Sequence, residues 1–192
     1  MYQSLSFKII GLSPLLMHNG LMADPANSFS QAIRPISGKR NKTEADFVEI
    51  ARLEFLGSLY LFNGTPCIPG ELVEAAMIQG AMKRRMGPAA RAGILCDGMY
   101  PLIYKGSKEP LKLWEDPKFR LSKSVRIGKS RVMRTRPMFP EWAANIELQY
   151  DSLLLNEKQI IQIAETVGQT IGLGDWRPRF GRFQVENDIL KS

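Results

Sequence analysis

The chain has 192 residues, enough for one well-buried core and too few for two full domains. Hydrophobic residues at 44% and charged residues at 23% exclude a disordered polypeptide. A surplus of 26 Lys+Arg over 19 Asp+Glu gives a net charge of +7, which favours a polyanionic partner such as nucleic acid, although scattered surface lysines would give the same total.

Cys67 and Cys96 form no CxxC pair and His18 is the single histidine, so no zinc set is present and no metal or cofactor is expected. The two thiols read as reduced. The opening MYQSLSFKIIGLSPLLMHNG lacks a basic start and is broken by Gly11 and Pro14, so it reads as neither a signal peptide nor a membrane span. A cytoplasmic protein with no membrane partner is expected.

SLSFKII, residues 4–10, alternates as a strand, and SPLLMH prolongs it. Residues 20–42 read as a loop, punctuated by Pro25, Pro35 and Gly38 and carrying Arg34, Lys39, Arg40 and Lys42. A helix is predicted from Thr43, capped with Asp46, its apolar face running through Phe47, Ile50, Ala51, Leu53 and Phe55 or Leu56. NGTPCIPG leads into a second helix, ELVEAAMIQGAMKRR, acidic at its start and basic at its end as the helix dipole favours. MGPAARAG reads as a loop, and ILCDGMYPLIY and LKLW as strand material.

Residues 118–140 hold Lys118, Arg120, Lys123, Arg126, Lys129, Arg131, Arg134 and Arg136 without one acid. VRIGKSRVM within this segment reads as two strands about a Gly-Lys turn. Arg134 and Arg136 flank Thr135 at period two, which places both on one strand face. Eight cations without an acid point to backbone contacts with nucleic acid; a solvated basic hairpin is the plainer alternative. NIELQYD is a further strand, and a third helix begins at Asn156 with Gln159 in the reciprocal capping position and stops at Gly172. FGRFQVE reads as the last strand, which makes the whole an α+β domain.

Three short features carry candidate chemistry. In GLGDWRPRFGRFQVE, Gly174 and its neighbouring glycines permit tight turns whose exposed amides can hold an anion. Arg177, Arg179 and Arg182 could then grip phosphates while Trp176 stacks on a base. The same residues equally describe a helix stop and a turn whose aromatics pack inward. His18 is a candidate general base without an identifiable partner, and Asp24 is a turn residue before Pro25 or a weak catalytic candidate.

Taken in order, SPLLMHNG, GTPCIPGELVEAAMIQGAM and GLGDWRPRFGRFQVE resemble the RAMP superfamily of CRISPR-associated RNA-binding proteins, most of all its backbone subunits. The respective counterparts are the exit of the first strand, a Pro-x-Ile-Pro-Gly turn that starts the first core helix, and the C-terminal glycine-rich loop. The resemblance implies a ferredoxin-like (RRM-like) core with an antiparallel sheet and helices. It also implies one domain over residues 1–192, with an insertion at 20–62 that holds a helix, and a basic hairpin or thumb at 118–140.

By the same resemblance the partner is single-stranded RNA or DNA, RNA before DNA, bound without sequence preference. The protein would act as a homo-oligomer stacked along the strand or as a subunit of a ribonucleoprotein complex. The expected binding residues are Lys123, Arg126, Lys129, Arg131, Arg134, Arg136, Gly174, Trp176, Arg177, Arg179 and Arg182. This chain departs from the family's small Ser-Arg-Gly loop by carrying Trp176-Arg177-Pro178-Arg179-Phe180, and it is compact, as a stand-alone or virus-encoded relative would be. Two alternatives remain: a metal-independent endoribonuclease using His18, and a protein-interaction module that joins or blocks a CRISPR effector complex.

Overall fold

The computed structural model describes residues 1–128 and 130–186. Strand β1 (Tyr2–Gly11) buries Leu5, Phe7 and Ile9 on one face by simple alternation. The two-residue β2 (Leu15–Leu16) follows, with both side chains buried. Residues 20–42 are more regular than the loop expected of them. They hold a 3-10 turn at Gly20–Ala23 and a helix, α1 (Ser28–Ser37), whose first amides are capped by the Asn27 side chain. Pro35 lies in the last turn of α1, where its missing N–H removes a single helical bond. The helix exists because Phe29 packs on Gly57 of the next helix, a tertiary contact that local punctuation does not disclose.

Helix α2 (Glu44–Ser58) starts with the predicted reciprocal capping of Thr43 and Asp46. Phe55 is fully buried whereas Phe47 is 58% exposed, so the buried stripe sits nearer the C-terminal end than predicted. A hairpin of β3 (Leu61–Phe62) and β4 (Thr65–Pro69) turns at Asn63-Gly64 and hands over to α3 (Gly70–Lys83).

MGPAARAG, expected as a loop, forms α4 (Gly87–Gly93), with Pro88 at the helix start where proline is tolerated and alanines behind it. Next come β5 (Ile94–Leu95) and β6 (Met99–Pro101). LKLW is helical rather than extended: it lies in α5 (Pro110–Glu115), again opened by proline, with Leu113 buried and Trp114 edge-on to Phe55. Four residues are too few for period to separate helix from strand. The basic segment forms β7 (Arg120–Ile127) and β8 (Ser130–Phe139). The chain then runs through β9 (Ala143–Asp151), α6 (Glu157–Thr170) and β10 (Phe183–Glu186).

The main sheet has the order β10-β1-β9-β5 with every pairing antiparallel. Helix α3 lies between β1 and β5 in the chain, and α6 between β9 and β10. This βαββαβ succession with that strand order is the ferredoxin-like α+β arrangement. Val73, Ala76 and Met77 of α3 and Ile160, Ile163, Ala164 and Val167 of α6 form one core with Phe7, Ile9, Ile146 and Leu148 of the sheet. Two smaller sheets, β2-β8-β7 and β3-β4-β6, flank it. Among the described residues no helix is long and apolar enough to cross a membrane.

Candidate nucleic-acid interface

The β7–β8 hairpin is rooted in the core by Phe139, which meets Phe119 and Tyr104 ring to ring, so the two phenylalanines that bracket the basic segment are structural. Beyond the root, Lys123 stands directly opposite Arg134, and Arg126 directly opposite Arg131. Like charges in register destabilise a ribbon unless an anion lies between or beside them. Lys123, Arg126 and Arg131 are exposed, and none has an ion-pair partner among the described residues. The Arg126 Nε donates only to the Gly128 carbonyl of its own turn, at 3.0 Å. Lys129 lies outside the described residues.

Arg134 and Arg136 do share a strand face, and a buried carboxylate holds the first of them. Glu54 of α2 is 4% exposed; one of its oxygens accepts the Thr135 backbone N–H at 2.9 Å and the other is ion-paired with Arg134. The same outer edge of β8 pairs with β2 at Leu15↔Phe139 and accepts Met17 N–H at the Pro137 carbonyl, 3.1 Å away. Glu54 therefore continues by side chain the ladder that β2 begins by backbone. Arg136 lies 3.5 Å from Asp175 in the C-terminal loop. Neither carboxylate was predicted; the one local signal was an acid between Leu53 and Phe55 on the buried side of α2.

The C-terminal loop combines both readings of its glycines. Gly172, at φ 77°, ends α6 with its N–H on the Val167 carbonyl at 2.8 Å. Gly174, also at φ 77°, lies so close to β2 that a Cβ would collide with the Leu16 carbonyl oxygen. Asp175 N–H donates to that carbonyl at 2.9 Å, Gly181 N–H to Pro14 at 2.8 Å, and Arg182 N–H to Ser13 Oγ at 3.0 Å. These amides are committed within the chain, so anion contact at this loop falls to side chains. Arg177, Arg179 and Arg182 are exposed, with the Arg182 Nε already donating to Pro178 at 2.9 Å. Trp176, at φ 52° and 38% exposed, leans on Phe180 at 6.1 Å between ring centroids.

Hairpin, α1 and loop enclose a groove of about 890 Å³. Its polar wall includes His18, Arg34, Glu54, Arg134, Arg136 and Asp175; Ile33, Leu121, Val125 and Trp176 supply apolar surface. Arg177, Arg179 and Arg182 do not line it. Partial burial, followed by the Arg136 charge, lowers the His18 pKa from its ordinary 6.5, so the imidazole is neutral at pH 7. Among the described residues the imidazole has no hydrogen-bond partner; the His18 backbone carbonyl accepts from Tyr60 at 2.9 Å. Asp24 is outside the groove and accepts the Ala26 N–H at 2.8 Å, an Asx turn before Pro25. Among the described residues no three of His, Cys, Asp and Glu gather as a metal site.

The free face of the main sheet has different chemistry. It presents Ser4, Ser6 and Lys8 from β1, Asn145, Glu147 and Gln149 from β9, and Gln184 and Glu186 from β10, with Lys8 and Glu186 paired at 2.6 Å. Tyr2, at the start of β1, is exposed and its hydroxyl donates to the Ala92 carbonyl at 3.5 Å, while the middle of the face carries none of the aromatics on which RRM sheets stack bases. The basic and aromatic surface lies instead on the hairpin and groove.

No family model matches the sequence, and no curated protein matches it. Among solved structures the chain is similar to the crystal structure of Cmr6 from Pyrococcus furiosus, at 8% identity over 97% of this chain and 99% of that one, with a TM-score of 0.44.

Proposed function

We propose that this protein binds single-stranded nucleic acid, RNA in preference to DNA, as a RAMP-like subunit whose copies lie side by side along the strand. The observation that carries the reading is the hairpin: Lys123, Arg126 and Arg131 are exposed and without ion-pair partners among the described residues, and Arg126 and Arg131 oppose each other in register. A phosphate backbone relieves that repulsion, and because every nucleotide supplies the same charge the grip is independent of sequence. Trp176 adds a face for stacking, worth roughly 1–3 kcal/mol per base. The RAMP-like motif order supports RNA as the ligand. Anisotropy titrations with labelled RNA, DNA and duplex of equal length test it: RNA is expected to bind best and the duplex worst. Absence of binding to every strand at low salt would sink the reading.

One observation favours a second reading. His18 lies in the same groove as a neutral imidazole, the form that can take a proton from a ribose 2′-hydroxyl. Cleavage of bound RNA that His18→Ala abolishes without loss of binding would establish an endoribonuclease; RNA intact after long incubation would leave a binding protein.

A further inference from the structure

The groove and the hairpin differ in kind. Lys123, Arg126 and Arg131 of the hairpin stand without ion-pair partners among the described residues, as a phosphate site requires. In the groove two of three arginines already face carboxylates, Arg134 with Glu54 and Arg136 with Asp175. Donors and acceptors set side by side suit a base edge better than a phosphate. The Arg136–Asp175 separation of 3.5 Å exceeds a good N–H···O bond, so each retains capacity for a ligand. One Asp175 oxygen is fixed by the Trp176 N–H at 3.0 Å, which orients the other toward Arg136. The rest of the wall sets Ile33, Leu121, Val125 and Trp176 among His18, Arg34 and two serines, and about 890 Å³ accommodates a nucleoside.

We infer that the groove is a nucleobase site selective for guanine, reading one base of the strand that the hairpin holds; the inference rests on the nucleic-acid reading above. Guanine presents the acceptors O6 and N7 beside the donors N1–H and N2–H₂. Arg136 donates to the acceptor side, as arginine does wherever it reads guanine. Asp175 accepts from the donor side, and Trp176 stacks on the ring. Adenine turns an amino group toward Arg136, donor against donor. Uracil offers Asp175 one N–H, at N3, and Arg136 one carbonyl, without guanine's second donor or its N7 acceptor, and cytosine offers Asp175 a single amino group.

The test compares oligouridine carrying one central guanosine with the all-uridine strand and with an adenosine-substituted strand, at one salt concentration. The protein should hold the guanosine strand about tenfold more tightly than the all-uridine strand. Asp175→Asn, and independently Arg136→Lys, should bring that ratio close to one, with melting temperature reporting that each variant is folded. Equal affinity for all three strands overturns the guanine site while leaving nucleic-acid binding intact. A guanosine preference that survives in both folded variants also overturns it. Failure of every strand to bind overturns the reading on which it rests.

Discussion

Replacing Glu54 by alanine removes the carboxylate that joins α2 to the hairpin. The buried Thr135 N–H then loses its partner, at a cost of about 1–3 kcal/mol. Arg134, whose side chain is 35% exposed, can turn to water, and loss of its ion pair adds no more than about 1 kcal/mol. The sum, about 1–4 kcal/mol, corresponds in a chain of this size to a fall in Tm of about 2–16 °C. Glu54→Gln keeps an acceptor for Thr135 and should lose about half as much. Calorimetry measures the stability, and RNA titration supplies a test of sign. Deleting an acid makes the protein more basic, so charge alone predicts tighter binding. Loss of the latch that places Arg134 and β8 predicts weaker binding. A Tm within about 2 °C of wild type, or tighter RNA binding, would refute the role given to Glu54.

Gly174→Ala forces a Cβ against the Leu16 carbonyl at a left-handed φ of 77° and should cost about 2 kcal/mol or more, read as a shift of the urea midpoint. Gly20→Ala, with nothing near its Cβ, is the control and should stay within about 0.5 kcal/mol. Asn156→Ala removes the side-chain cap of α6 and should cost about 1 kcal/mol by the same measurement. His18 has a folded pKa below the ordinary 6.5, so the unfolded chain binds its proton more tightly. Its contribution to stability is therefore complete above pH 6.5 and is lost as pH falls through the folded value. His18→Gln should flatten that part of the stability profile, and NMR titration of the single imidazole gives the folded pKa directly; a value above 6.5 would contradict the groove environment.

Helices that announce their own ends were legible in the sequence. Thr43 with Asp46 and Asn156 with Gln159 are local signals, and both capping boxes form. Helix α1 was hidden because Pro25, Pro35 and Gly38 say loop locally, while its stability comes from packing on α2. Arg134 and Arg136 were placed on one face by period alone, since alternation is a property of the strand itself. Their partners were not legible. Glu54 lies eighty residues from Arg134 in the chain, and no spacing rule links an α2 carboxylate to a hairpin edge. The commitment of the loop amides was equally invisible, because it depends on how the Gly172–Arg182 turn lies against Ser13–Leu16.

The most direct test of the central claim is the salt dependence of single-stranded RNA binding by the wild type and by Lys123→Ala/Arg126→Ala/Arg131→Ala. If these three exposed cations each neutralise a phosphate, the slope of log affinity against log salt should fall by about 2 in the variant, with Tm unchanged. Identical slopes and affinities for the two proteins would contradict an RNA-gripping hairpin.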